Sequence, residues 1–160
     1  MSQRSTQQGF TLIELLVALT LLALIVSSAA PLVQLSAQRN KEQELKRSLW
    51  QIRDAIDAYK QAVDDGRIEL SDDVSGYPES LQVLVDGVED AQDPEHKKIY
   101  FLRRIPRDPF ASDSDLSNAE TWGLRSYDSS FDDKSAGEDV YDVYSLSNGM
   151  GINQQPYKEW

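Results

Sequence analysis

From Phe10 to Gln38 the chain carries one charged side chain, Glu14, and from Phe10 to Ala30 it is otherwise almost wholly apolar. A helix of about 20 such residues covers the roughly 30 Å hydrocarbon layer of a bilayer. A chain with this front end must hand that surface to lipid or to like helices. Glu14 is the anomaly within it. A carboxylate at bilayer depth costs about 2.5–3.5 kcal/mol on insertion scales, so a residue kept there is a functional candidate. It lies five positions after Gly9 and four after Phe10. If the bond after Gly9 is cut, Phe10 exposes a new amine. Amine and carboxylate one helical turn apart, or on neighbouring subunits, then compensate each other in a low-dielectric environment.

The apolar pattern thins after residue 38 but does not stop. Leu45, Leu49, Ile52, Ile56, Tyr59 and Val63 form one stripe of an amphipathic helix. The spacing predicts a single helix from about Phe10 to Val63, stopped at Asp64-Asp65-Gly66 with Gly66 as a left-handed cap. Pro31 inside it removes one hydrogen bond and predicts a kink. Residues 1–9 are polar, carry only Arg4, and read as a leader or a disordered terminus.

Beyond Asp64 the chain is turn-rich and acidic as far as Glu95. A short helix is predicted over 78–85, with Leu81, Leu84 and Val85 facing inward. Residues 99–102 read as a strand or a helix end, and Pro106 and Pro109 bracket a loop. Strands are predicted over 121–127 and 139–146, joined by a hairpin loop at 128–138. In the second strand Val140, Asp142, Tyr144 and Leu146 share one face, and Tyr141, Val143 and Ser145 the other. The fold class is therefore α+β. A long N-terminal helix, membrane-spanning in its first half and amphipathic in its second, packs on a small C-terminal antiparallel sheet.

Charge and composition exclude several functions. The net charge is -11, and a nucleic-acid reader shows a basic face instead. There is no cysteine, so disulfides and thiolate chemistry are absent. The one histidine, His96, sits among Glu95, Lys97 and Lys98 and reads as a solvated surface residue. No nucleophile elbow, phosphate loop, zinc-protease or dinucleotide fingerprint occurs. The expectation is a protein that is not an enzyme and has no catalytic residue.

The run Gly9-Phe10-Thr11-Leu12-Ile13-Glu14-Leu15-Leu16-Val17 resembles the class III signal of type IV pilins and type II secretion pseudopilins. The resemblance implies that a prepilin peptidase cuts after Gly9 and N-methylates Phe10, and that Glu14 supports subunit assembly. Pro31 matches a proline that many members carry in this helix. Residues 77–84, 101–110, 122–127 and 141–149, with the terminal Trp160, are similar to the major (G-type) pseudopilins. This implies a leader at 1–9, a transmembrane and filament-core half-helix at 10–35, and a periplasmic pilin-like domain at 36–160. It also implies a structural subunit of a type II secretion-like filament that helps export folded proteins. Its implied partners are the prepilin peptidase, copies of itself and other pseudopilins, an inner-membrane assembly platform and membrane lipid, with no nucleic acid. The implied location is the bacterial inner membrane, single-pass, with the N-terminus cytoplasmic before processing.

The sequence departs from that family where its members bind calcium. Asn148 stands where they place an Asp, and no Asp follows Asp142. A hard cation takes six to eight oxygens, usually including more than one carboxylate. Leu146, Asn148 and Asn153 are weak donors by that measure, so the expectation is no cofactor, with calcium the one cation left in view. The lack of cysteine fits pseudopilins better than disulfide-stapled pilins.

Rival readings remain at this level. Residues 1–30 have the outline of a secretory signal peptide or of a plain anchor, against which Glu14 and the continuing helical period argue. Arg39, Lys41, Lys46 and Arg47 follow the span and only Arg4 precedes it; a charge count alone would put the N-terminus outside. The resemblance puts it in the cytoplasm. The alternative functions are a type IV pilus major or minor pilin, and a membrane-tethered periplasmic binding module.

Overall fold

A computed structural model of the chain describes residues 11–71, 74–130 and 134–160, without the side chains at 28–32. Gly9 and Phe10, and with them the proposed cleavage junction, lie outside the described residues. Helix α1 spans Leu12–Asp64 and helix α2 Val83–Asp86. Strands β1 (Val88–Glu89), β2 (Lys98–Ile99), β3 (Trp122–Arg125) and β4 (Asp142–Ser145) follow, with 3-10 turns at Ala119–Thr121 and Tyr157–Glu159. The chain divides into two compact units, Met1–Arg39 and Asn40–Trp160.

In the first unit the helix bares its apolar side chains on every side. From Leu12 to Val26 the large hydrophobics are 52–78% exposed. The helix is continuous through position 31, so Pro31 does not end it; its side chain, and the kink expected there, lie outside the described part. Among the described residues no helix is long and apolar enough to cross a membrane.

The second unit is built on the predicted stripe. Leu45, Leu49, Ile52, Ile56 and Tyr59 are buried, and Val63 packs at the edge of the same cluster. Each fully buried aliphatic side chain of this size contributes about 1.5–3 kcal/mol, which makes the stripe the main tie between helix and sheet. Leu81, Leu84, Leu102, Ile105, Trp122, Val140, Val143 and Tyr157 cover it. The helix stops where the sequence says it should. The Gly66 N–H donates to the Val63 carbonyl at 2.9 Å and the Arg67 N–H to the Ala62 carbonyl at 2.8 Å. This is the paired closure of a Schellman cap, and Gly66 supplies the left-handed φ of 69°.

Elsewhere the structure corrects the reading. The short helix is α2, which begins only at Val83. Pro78 is not its first turn; its carbonyl instead accepts the Val140 N–H at 2.8 Å. Leu81 and Leu84 are buried as expected, and Val85 is half-buried. The sheet is two separate antiparallel pairs, β1 with β2 and β3 with β4. Residues 99–102 are a strand end: past Ile99 the N–H groups of Phe101 and Leu102 both turn to the Leu84 carbonyl, at 3.0 and 2.9 Å. In the β3–β4 hairpin Trp122 faces Ser145 and Gly123 faces Tyr144. A Cβ on Gly123 would lie 2.4 Å from the Tyr144 ring, so the strand needs glycine there. On β4 the inward face is Val143 and Ser145. Val140 is also buried, but ahead of the strand, where the alternation does not yet hold.

Candidate assembly site

At the front of α1, Thr11 precedes the first helical residue. Its Oγ1 accepts the Glu14 N–H at 3.3 Å, and its carbonyl accepts the Leu15 N–H at 3.2 Å. Thr11 is thus the helix N-cap and Glu14 its third helical residue, the Thr-x-x-Glu pattern of a capping box. Glu14 is exposed. A carboxylate here also complements the positive end of the helix dipole. The arrangement leaves Glu14 available to a group outside the chain while its backbone is fixed. Sequence reasoning singled out Glu14 for its charge and missed Thr11, whose signal was the same four-residue spacing.

The second concentration of polar chemistry ties the C-terminal strand and turns to α1. The Arg53 Nε donates to Asp142 Oδ1 at 2.7 Å, and its Nη2 donates to the Val143 carbonyl at 3.1 Å and to Trp160 O at 2.9 Å. Arg125 lies 3.5 Å from the other Asp142 oxygen. Glu42, on the same helix, accepts the Ile152 N–H at 2.8 Å and the Tyr157 hydroxyl at 3.0 Å through Oε1. Asp108 is 2% exposed; its Oδ2 accepts the Ser145 hydroxyl at 2.5 Å and its Oδ1 the Phe110 N–H at 2.8 Å. None of these ties was read from the sequence. For Glu42 the signal was present: it lies three residues before Leu45, on the apolar stripe itself.

The weak cation candidates are not brought together. Leu146 and Asn148 line a cavity of about 260 Å3 with Asp108 and Asp113. Asn153 lines a different one, and its amide is engaged with Gln155, donating to Oε1 at 2.9 Å and accepting the backbone N–H at 3.2 Å. Among the described residues no group of three His, Cys, Asp or Glu side chains is placed to hold a metal. His96 is exposed at a turn, with a left-handed φ of 51°.

Among the described residues three carboxylates are held below their usual range: Glu120, by hydrogen bonds from Ser117, and Asp90 and Asp139, by partners far along the chain. Hydrogen bonding to Arg67, at 2.5 and 3.0 Å, holds Asp90 below the usual carboxylate range. Burial pushes Asp139 up, but the hydroxyls of Ser75 and Ser126 and the Tyr127 N–H outweigh it, and the net shift is downward. Asp139 thereby closes the loop between β3 and β4.

Known proteins match both ends of this description. Residues 4–30 match the family model of the prokaryotic N-terminal methylation motif. The long helix with small antiparallel pairs behind it is a pilin-like α+β arrangement, and the motif stands at the front of that helix. Over about 70% of its length the chain is similar to major pseudopilins. It is 29% identical over 114 residues to type II secretion system core protein G of Klebsiella pneumoniae, covering 69% of this chain and 74% of that protein. It is 26% identical over 118 residues to the core protein G of Klebsiella michiganensis (71% and 75% covered) and 24% identical over 116 residues to that of Vibrio cholerae (71% and 72%). No solved structure matches the chain.

Proposed function

We propose that this chain is a structural subunit of a type II secretion-like filament, anchored in the inner membrane by the first half of α1, with residues 36–160 in the periplasm. Prepilin peptidase cuts after Gly9 and methylates Phe10. The apolar half-helices then leave lipid and pack together, and Glu14 compensates the new amine of Phe10 on its own or a neighbouring chain. The subunit performs no catalysis and needs no calcium; its partners are its own copies, other pseudopilins and the assembly platform. The observation that carries this reading is the exposed apolar helix surface from Leu12 to Val26 with one carboxylate fixed at its front. Mass spectrometry of the mature N-terminus tests it. A chain beginning with N-methyl-Phe10 is the expected result. A chain beginning at Ala30, or one retaining Met1, would overturn it.

A further inference from the structure

Trp50 is 68% exposed, more than any other large apolar side chain described in the unit Asn40–Trp160. Nothing in the packing of the core calls for it. It stands between Lys46 and Arg53 at helical spacings of four and three, so the three share one face of α1. Together with Leu49, Asn153, Gln155 and Trp160 they line a cleft of about 330 Å3. The Lys46 ammonium lies 4.5 Å over the Trp160 ring, and no Asp or Glu side chain lines the cleft. Arg53 is committed to Asp142 and to the Val143 and Trp160 oxygens and serves as the cleft's fixed wall. The Trp160 indole Nε1–H is buried and has no acceptor among the described residues, which is uncommon for a buried indole. Indole and cation side by side are the chemistry of an interface hot spot, and what they receive is an apolar group with a carboxylate beside it.

We propose that this cleft is a contact between copies: it receives a carboxylate-bearing segment of a neighbouring copy of this chain. The inference rests on the filament reading above. Charge complementarity favours a second copy. The chain as a whole carries a net charge of -11, so its neighbours offer carboxylates in excess, and like-charged copies need local cationic surfaces at which to meet.

The test uses the full chain in bacterial membranes with its assembly machinery. Trp50→p-benzoylphenylalanine is irradiated, and the adducts are sized and mapped. The expected product has twice the mass of the chain, joined through a stretch that contains Asp or Glu. It should fall about tenfold with Lys46→Glu and with Glu14→Ala, the variant expected to fail in assembly. Adducts only with other proteins, or no adduct while filaments still sediment, would overturn the inference and leave the filament reading standing. If the unsubstituted chain forms no filaments at all, both fall. Trp50→Ala gives a second reading: the soluble unit should melt as the wild type does, while filament yield drops. An undiminished yield would count against the cleft.

Discussion

The carboxylate of Glu42 accepts the hydroxyl proton of Tyr157 at 3.0 Å, across 115 residues of sequence. The same oxygen also takes the Ile152 N–H, so one side chain on α1 fixes both arms of the last turn. Replacing it removes the acceptor that these two donors share. Glu42→Ala should therefore destabilise the 36–160 fragment by about 2–3 kcal/mol, and Tyr157→Phe by about 1 kcal/mol. Urea denaturation of the three proteins checks this. Equal midpoints for Glu42→Ala and the parent would show that the tie contributes nothing. The parent fragment itself should be folded and monomeric, since the cut removes the exposed apolar half of α1 and keeps the packed stripe.

Acid should destabilise the same fragment in a defined window. Asp90 and Asp139 both have folded pKa values below their ordinary one. A depressed folded value means that the unfolded chain takes up the proton first as pH falls. The stabilisation is then complete above the ordinary aspartate value of about 4 and is lost below it, down through the folded values. Melting temperature should be flat with respect to these two groups between about pH 7 and 5 and should drop below about pH 4. Asp139→Asn should shrink that drop; an undiminished drop would remove Asp139 from the account.

Glu14 has two jobs to be separated. If its contribution is to the cap, Thr11→Ala and Glu14→Ala should harm filament incorporation alike, each by the order of 1 kcal/mol of helix stability. If its charge meets an amine on assembly, Glu14→Ala should insert in the membrane and fail to cross-link into filaments, while Thr11→Ala assembles. We expect the second pattern.

Calcium should matter little to the folded domain. Leu146 and Asn148 lie on one cavity and Asn153 on another, and the terminal turns are held by Glu42 and Arg53. A ligand present at 100 times its dissociation constant adds about 2.7 kcal/mol to stability. A melting curve of the 36–160 fragment in millimolar calcium should overlay one in EDTA. A clear rise in melting temperature would show a cation site built from other oxygens.

What could be read from the sequence was what repeats. The helix and its buried face follow from a period sustained over Leu45–Tyr59, and its end from a glycine with one permitted role. The hairpins were harder. β1 is two residues long, too short for any alternation to show. The inward face of β4 was obscured because one of its two buried residues is Ser145, apolar only in its surroundings and satisfied by Asp108. The Glu42 and Arg53 ties join residues some 90 to 115 positions apart, and no local pattern announces a partner at that range. At the front of α1 the Thr11–Glu14 cap spans only four residues, so its pattern was local even though Glu14 alone was singled out.

The long sequence separations in those ties set the order in which this protein can mature. The helical stripe Leu45–Tyr59 belongs to one local helix, while its cover, from Leu81 to Tyr157, comes from far along the chain. Contacts of such range close slowly, after the cost of ordering the intervening loops. If the chain is anchored as proposed, the stripe spends an interval uncovered beside the bilayer, sticky to lipid and to its own kind. Assembly should select chains whose last turns have closed on Glu42 and Arg53, so that the seal on the domain doubles as a proof of completion before a subunit enters the filament.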